Sequence, residues 1–251
     1  MEPAQINQDE KIGNSDEVLK DLLKSPQVDT IDGVLARMRL IDQSLPVRDG
    51  VAWFNKLYLR TTENVLAAVG EGFFGHPKFM EHLDLVFANL YFQAVYDSLH
   101  RPERIPKAWK PLFSVRARRG IAPIQFGIAG MNAHINRDLA VAVVQTCRDL
   151  GTRPDAGRKR DFDLVNPILK ATQDEIKLWF ATGFVGILDE AFGRLDDVMA
   201  NWSIERARDA GWINSLLLWE IRDKAVLRSA FLLNLDHTVG FAGRGLLLPT
   251  A

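Results

Sequence analysis

Three observations predict an all-α fold. Strand signals are nearly absent, apolar residues recur at helical spacing along most of the chain, and Pro and Gly break the periodic stretches at helix-length intervals. No sustained period-two alternation and no Asn-Gly hairpin turn occurs, and no repeat of solenoid period is present. The expectation is a single globular bundle of about seven to eight helices over residues 28–251, preceded by a mobile tail over residues 1–27.

The tail reads as mobile, or as a loosely attached helix, because Gly13, Ser15 and Pro26 punctuate a stretch poor in large apolar groups. Asp29 or Thr30 then suits the N-cap of a helix whose apolar positions are Ile31, Val34, Leu35, Met38 and Ile41, ended by Pro46. Asp49 suits the N-cap of a second helix through Phe54, Leu57, Tyr58 and Val65 to Gly70. Pro77 opens a third, running through Leu83, Phe87, Leu90, Tyr91 and Val95 to about Ser98. Arg101 to Pro111 reads as a proline-rich connector with a short helix near Trp109. A long helix is expected from Ile121 or Pro123 to Asp149, stopped by Gly151 and Pro154.

The basic link Arg153 to Arg160 reads as a solvated loop, with Asp161 or Asp163 starting the next helix through Leu164, Ile168, Ile176 and Trp179. Gly183 separates that helix from a segment ending near Met199. Ser203 suits the N-cap of a last long helix, and the run from Gly240 to Gly245 carries too many glycines to be helical. The apolar Gly245-Leu246-Leu247-Leu248-Pro249 tail is suited to packing on a second copy of the chain, as in a homodimer.

Composition narrows the function classes. The 251 residues include 47% hydrophobic ones, enough for a substantial core without covalent staples. Cys147 is the only cysteine, which excludes an intrachain disulfide and a multi-cysteine zinc site and fits a reducing compartment. Lys plus Arg number 31 against 32 acidic residues, so no general field for nucleic acid or an anionic membrane exists. The first 25 residues lack the apolar stretch of a secretory signal, and no apolar run is long enough to span a bilayer. A cytoplasmic protein that binds neither nucleic acid nor membrane is expected.

The stretch Gly130 to Leu139 puts strongly polar groups inside an apolar helix, which sets Asn132 over Asn136 and His134 over Asp138 at i,i+4. Asp84 is a second anomaly, on the same face as Met80, Phe87, Tyr91 and Val95. A buried carboxylate needs a partner or a proton, and His134 and Arg137 are the nearest chemistry of the right kind. Paired with His134, Asp84 or Asp138 would orient the imidazole as a base, with Asn132, Asn136 and Arg137 positioning substrate. Asn55, Tyr58, Tyr91 and Asn166 are weaker candidates for the same cavity. An ordinary satisfied core histidine and a helix-bridging ion pair are readings of about equal weight for His134 and Asp84, and the two asparagines favour a backbone-bridging role slightly.

No HExxH, DDxxD, paired Glu-x-x-His, Gly-x-Ser-x-Gly or phosphate-binding glycine loop is present. No metal and no cofactor is therefore expected. Three readings stay open: an enzyme that cyclises, isomerises or dehydrates a small, largely apolar metabolite by acid-base or electrostatic catalysis; a metal-dependent hydrolase or oxygenase built on His134 and Asp138; and a non-catalytic helical binding or dimerisation module.

Phe54 to Leu59, Phe87 to Tyr91, the Ala108-Trp109 turn, Gly130 to Leu139 and Asp161 to Asn166 together resemble an uncharacterised, largely bacterial domain-of-unknown-function family. Its hallmark is similar to the string from Asn132 to Leu139. The resemblance spans about Ile31 to Ala181 and implies an all-helical cytoplasmic protein, with no reaction or cofactor attached.

Overall fold

In the computed structural model, which describes residues 16–70, 72–181 and 203–249, the protein is all-α, with no strand among those residues. Helix α1 covers residues 16–22. It belongs to the stretch expected to be a mobile tail or loose helix, yet Leu19 and Leu23, spaced i,i+4, are fully buried. Asp16 also pairs with Arg116 at 3.0 Å. Residues 1–15 lie outside the described residues.

Helix α2 (Ile31–Ser44) is capped by Thr30, whose hydroxyl accepts the Gly33 N–H. Helix α3 (Gly50–Gly70) follows Asp49, which accepts the Val51 N–H and forms a buried ion pair with Arg116. Helix α4 (Pro77–His100) starts on proline, as predicted. A short 3-10 turn (Pro102–Arg104) and helix α5 (Lys110–Val115) make the connector.

The long helix predicted to Asp149 runs its full length, but with a fault in the middle. Helices α6 (Pro123–Ala133) and α7 (Leu139–Asp149) are joined without a break by a π-helical segment, His134–Asp138. There the Leu139 N–H reaches back five residues to the His134 carbonyl, so one extra residue is packed into the turn. The predicted i,i+4 pairs still form.

Other sequence expectations change. Helix α8 (Ala156–Ala181) begins in the link expected to be a loop, because Asp155 accepts the Arg158 N–H at its start. Asp161 instead lies inside α8 and holds the α3–α4 loop, accepting the N–H groups of Gly75 and His76. Ser203 caps the next helix as expected, but that helix, α9 (Ile204–Glu220), ends in a turn before α10 (Ala225–Leu246).

The glycines of α10 do not break it; they let it dock. A Cβ at Gly240 would sit 2.5 Å from the Lys107 carbonyl oxygen, so only glycine allows this approach. The C-terminal tail packs on its own chain: Leu247 is buried, and the Gln125 amide donates to the carbonyls of Leu246 and Leu248. The segment ending near Met199 lies outside the described residues. Two apolar clusters result. One gathers α2, α3 and α5 around Trp109, and the other lies between α4, α7, α8 and α9 around Phe79, Leu139 and Phe162.

Candidate active site

The π-helical segment lies where the two clusters meet and faces both. Towards α5 and α10, its polar side chains are fully engaged. Asp138, with no solvent exposure, accepts the Trp109 indole N–H at 2.8 Å and Arg137 at 2.7 Å, and its Oδ2 lies 3.3 Å from His134 Nδ1. Arg137 also donates to Asp236 of α10 at 3.2 Å. Asn132 donates to the Val239 carbonyl, and Asn136 donates to Asn132.

The other side is unfinished. A cavity of about 70 Å³ lies between α3, α4, the π segment, α8 and α9, with mostly apolar walls. Into its walls are set His134, Asp84, Tyr58, Thr62 and Arg208. Nε2 of His134 and Oδ2 of Asp84 are sealed from solvent without a hydrogen-bond partner. The Tyr58 and Thr62 hydroxyls lie beside each other, and Thr62 acts on the Tyr58 phenol as a hydrogen-bonding neighbour. An imidazole nitrogen and a carboxyl oxygen, both sealed and unpartnered, thus border one cavity, which is hard to reconcile with incidental packing defects.

His134 is held rigidly. The Phe87 ring stacks on it with centroids 3.4 Å apart and planes 3° from parallel, and Tyr58 meets it edge-on at 4.5 Å. Phe54 packs against it as well, and α6 can close on Phe54 because a side chain at Gly130 would fall 2.4 Å from that ring. With Asp138 ionised, Nδ1 carries the proton and donates to it, which leaves the Nε2 lone pair facing the cavity.

Electrostatics assigns the protons. Burial pushes the His134 imidazolium down, against the opposing pull of Asp138, so the ring is neutral at neutral pH. Burial would raise Asp138, but the Arg137 charge and the hydrogen bonds from His134 and Arg137 bring it below the usual carboxylate range. Asp84 goes the other way: burial pushes its carboxyl up to about 7, although the Arg208 charge opposes this. Burial also pushes the Tyr58 phenol well up, helped by the nearby Asp84 charge, so it stays protonated.

The expected Asp84 pairings do not form. No hydrogen bond or ion pair joins Asp84 to His134 or Arg137 among the described residues. Arg137 is committed to Asp138 and Asp236, and α4 presents Phe87, not Asp84, to the imidazole. The orienting carboxylate is Asp138. Of the remaining candidates, Tyr58 lines the cavity, whereas Asn132, Asn136 and Arg137 face α10. Asn55 donates to the Met38 carbonyl and accepts from Tyr91, placing both in the core behind Phe54. Asn166 reaches the site indirectly, accepting from Arg208 at 2.7 Å.

Sequence reasoning missed Arg208, although α9 carries the signal. Arg208 lies i+4 from Ile204 and i−4 from Trp212, in the middle of a buried face, the same kind of anomaly as Asp84. No group of three or more His, Cys, Asp or Glu is placed to hold a metal ion among the described residues. The set does not suit one either, because both Asp138 oxygens already accept N–H donors beside a guanidinium.

The model of a family of unknown function, DUF5995, matches residues 31–249, so the chain belongs to that family. No curated protein and no solved structure matches the chain. No helix among the described residues is long and apolar enough to cross a membrane.

Proposed function

We propose that this member of the family is an enzyme that moves a proton on a small, largely apolar molecule, in an isomerisation, dehydration or cyclisation. His134 Nε2 is the base, with Asp138 fixing its tautomer, and protonated Asp84 is the acid. One observation carries this reading: a neutral imidazole and a carboxyl with a raised pKa face the same apolar cavity, each with a sealed atom lacking a partner. Environments that push an acid up and a base down suit paired proton donors and acceptors at neutral pH. At about 70 Å³ the cavity limits the reacting part of the substrate to a few heavy atoms, since a cavity of ~150 Å³ holds a benzene.

A proton-transfer enzyme washes solvent deuterium into its substrate. Incubating the protein with a small-metabolite extract in D2O, followed by mass spectrometry, should reveal a compound that gains deuterium or changes constitution with wild type, and does so at least tenfold more slowly with His134→Gln or Asp84→Ala. No such compound, or one equally labelled by both variants, would remove the acid-base assignment. The metal reading is weaker, because both Asp138 oxygens already accept N–H donors.

A further inference from the structure

Arg208 is 7% exposed and borders the cavity. Its Nε donates to Asn166 Oδ1, an NH2 group donates to the Phe162 carbonyl, and the guanidinium lies 3.9 Å over the Phe162 ring. All three partners are neutral. No carboxylate lies within ion-pair distance of it among the described residues, although Asp163, Asp84 and Asp209 are close enough to feel its charge. Burial lowers its pKa to about 10, so it remains a cation at neutral pH. A buried, oriented guanidinium with no carboxylate in direct contact is costly in an apolar wall unless an anion completes it.

The geometry points to a small aliphatic carboxylate as the ligand of this cavity, selected by Arg208. Two of the five guanidinium N–H groups are committed, and those remaining offer the planar fork that a carboxylate accepts in pairs. One cation matches one negative charge better than it matches a phosphate dianion. The rest of the wall, including Val65, Leu83, Val165, Leu169 and Ile204, suits a short hydrocarbon tail. The assignment names a substrate class for the acid-base site and rests on that reading.

It also sets a pH dependence. Asp84 is faced by Tyr58, His134 and Arg208 across the cavity, and an anion arriving beside it further favours its protonated form. Binding should therefore take up a proton and tighten as pH falls through about 7.

The test is calorimetric titration and thermal shift of the full chain with sodium propionate, its neutral counterpart propionamide, and inorganic phosphate at matched ionic strength. Propionate should bind saturably, at least tenfold more tightly than propionamide or phosphate, and more tightly at pH 6 than at pH 8. Arg208→Met should lose this binding, and Arg208→Lys, which keeps the charge without the fork, should weaken it. Equal response to propionate and propionamide in wild type overturns the assignment even if the variants fail to fold, and so does equal or tighter binding of phosphate. If neutral molecules acquire deuterium in a His134-dependent way while propionate does not bind, only the carboxylate assignment falls. If propionate binds through Arg208 but no compound shows His134-dependent exchange, the acid-base reading falls and with it the substrate role, while carboxylate binding at Arg208 stands.

Discussion

The two sides of the π-helical segment differ in one respect above all. On the α10 side, Asn132, Asn136, Arg137 and Asp138 all have partners. On the cavity side, His134 and Asp84 keep sealed atoms without one. Both sets are polar groups on largely apolar helices, so sequence alone made them look alike. The contrast teaches that polarity inside a helix is not evidence of function, whereas polarity that the fold leaves unsatisfied around a shared cavity is.

The sharpest way to break the comparison is to remove the centre of the satisfied side. Asp138→Ala strands the Trp109 indole, Arg137 and His134 Nδ1 without their acceptor, and should lower stability by about 3–5 kcal/mol in urea unfolding. A loss below 1 kcal/mol would mean that this network is not structural.

The unsatisfied side should respond with the opposite sign. The folded pKa of Asp84, about 7, lies above its unfolded value. Its contribution to stability is thus fully present below about pH 4 and is lost as pH rises towards 7. Asp84→Asn should therefore be more stable than wild type at pH 8 by about 1–3 kcal/mol, with Tm raised by several degrees, and the gain should shrink between pH 7 and pH 4. A destabilised Asp84→Asn at pH 8 would place Asp84 on the structural side.

Gly240→Ala tests the docking of α10 and should cost about 1–3 kcal/mol by forcing the helix away from Lys107. Asn136→Ala should cost about 1 kcal/mol, the value of one half-buried hydrogen bond. The finest distinction is spectroscopic. His134 has a lowered folded pKa, so its contribution is present above pH ~6.5 and is lost as pH falls through the folded value. Nitrogen-15 NMR should find it neutral and protonated on Nδ1 at pH 7.5; an imidazolium there would refute the base assignment.

Much of this was legible in the chain. Thr30, Asp49, Pro77 and Ser203 mark helix starts because caps and N-terminal prolines act locally. The His134–Asp138 and Asn132–Asn136 contacts were readable for the same reason: i,i+4 neighbours need no knowledge of the fold. The surroundings of Asp84 were not, because which helices face it depends on tertiary packing. Gly240 misled for a related reason. Glycine lowers helix propensity everywhere, but here close approach to Lys107 outweighs that preference. Arg208 was readable on the buried face of α9 by the argument that exposed Asp84.

The π-helical turn has a genetic consequence. It amounts to one residue more than a regular helix would hold, so deleting a single residue between 134 and 138 would restore an unbroken rod. Because the bulge absorbs that residue locally, α6 and α7 would keep their relation to each other, and only the turn between them would be rewound. The imidazole that faces the cavity and the carboxylate that meets Trp109 would no longer share their present alignment. One codon gained or lost is therefore enough to separate a site-bearing helix from a seamless one.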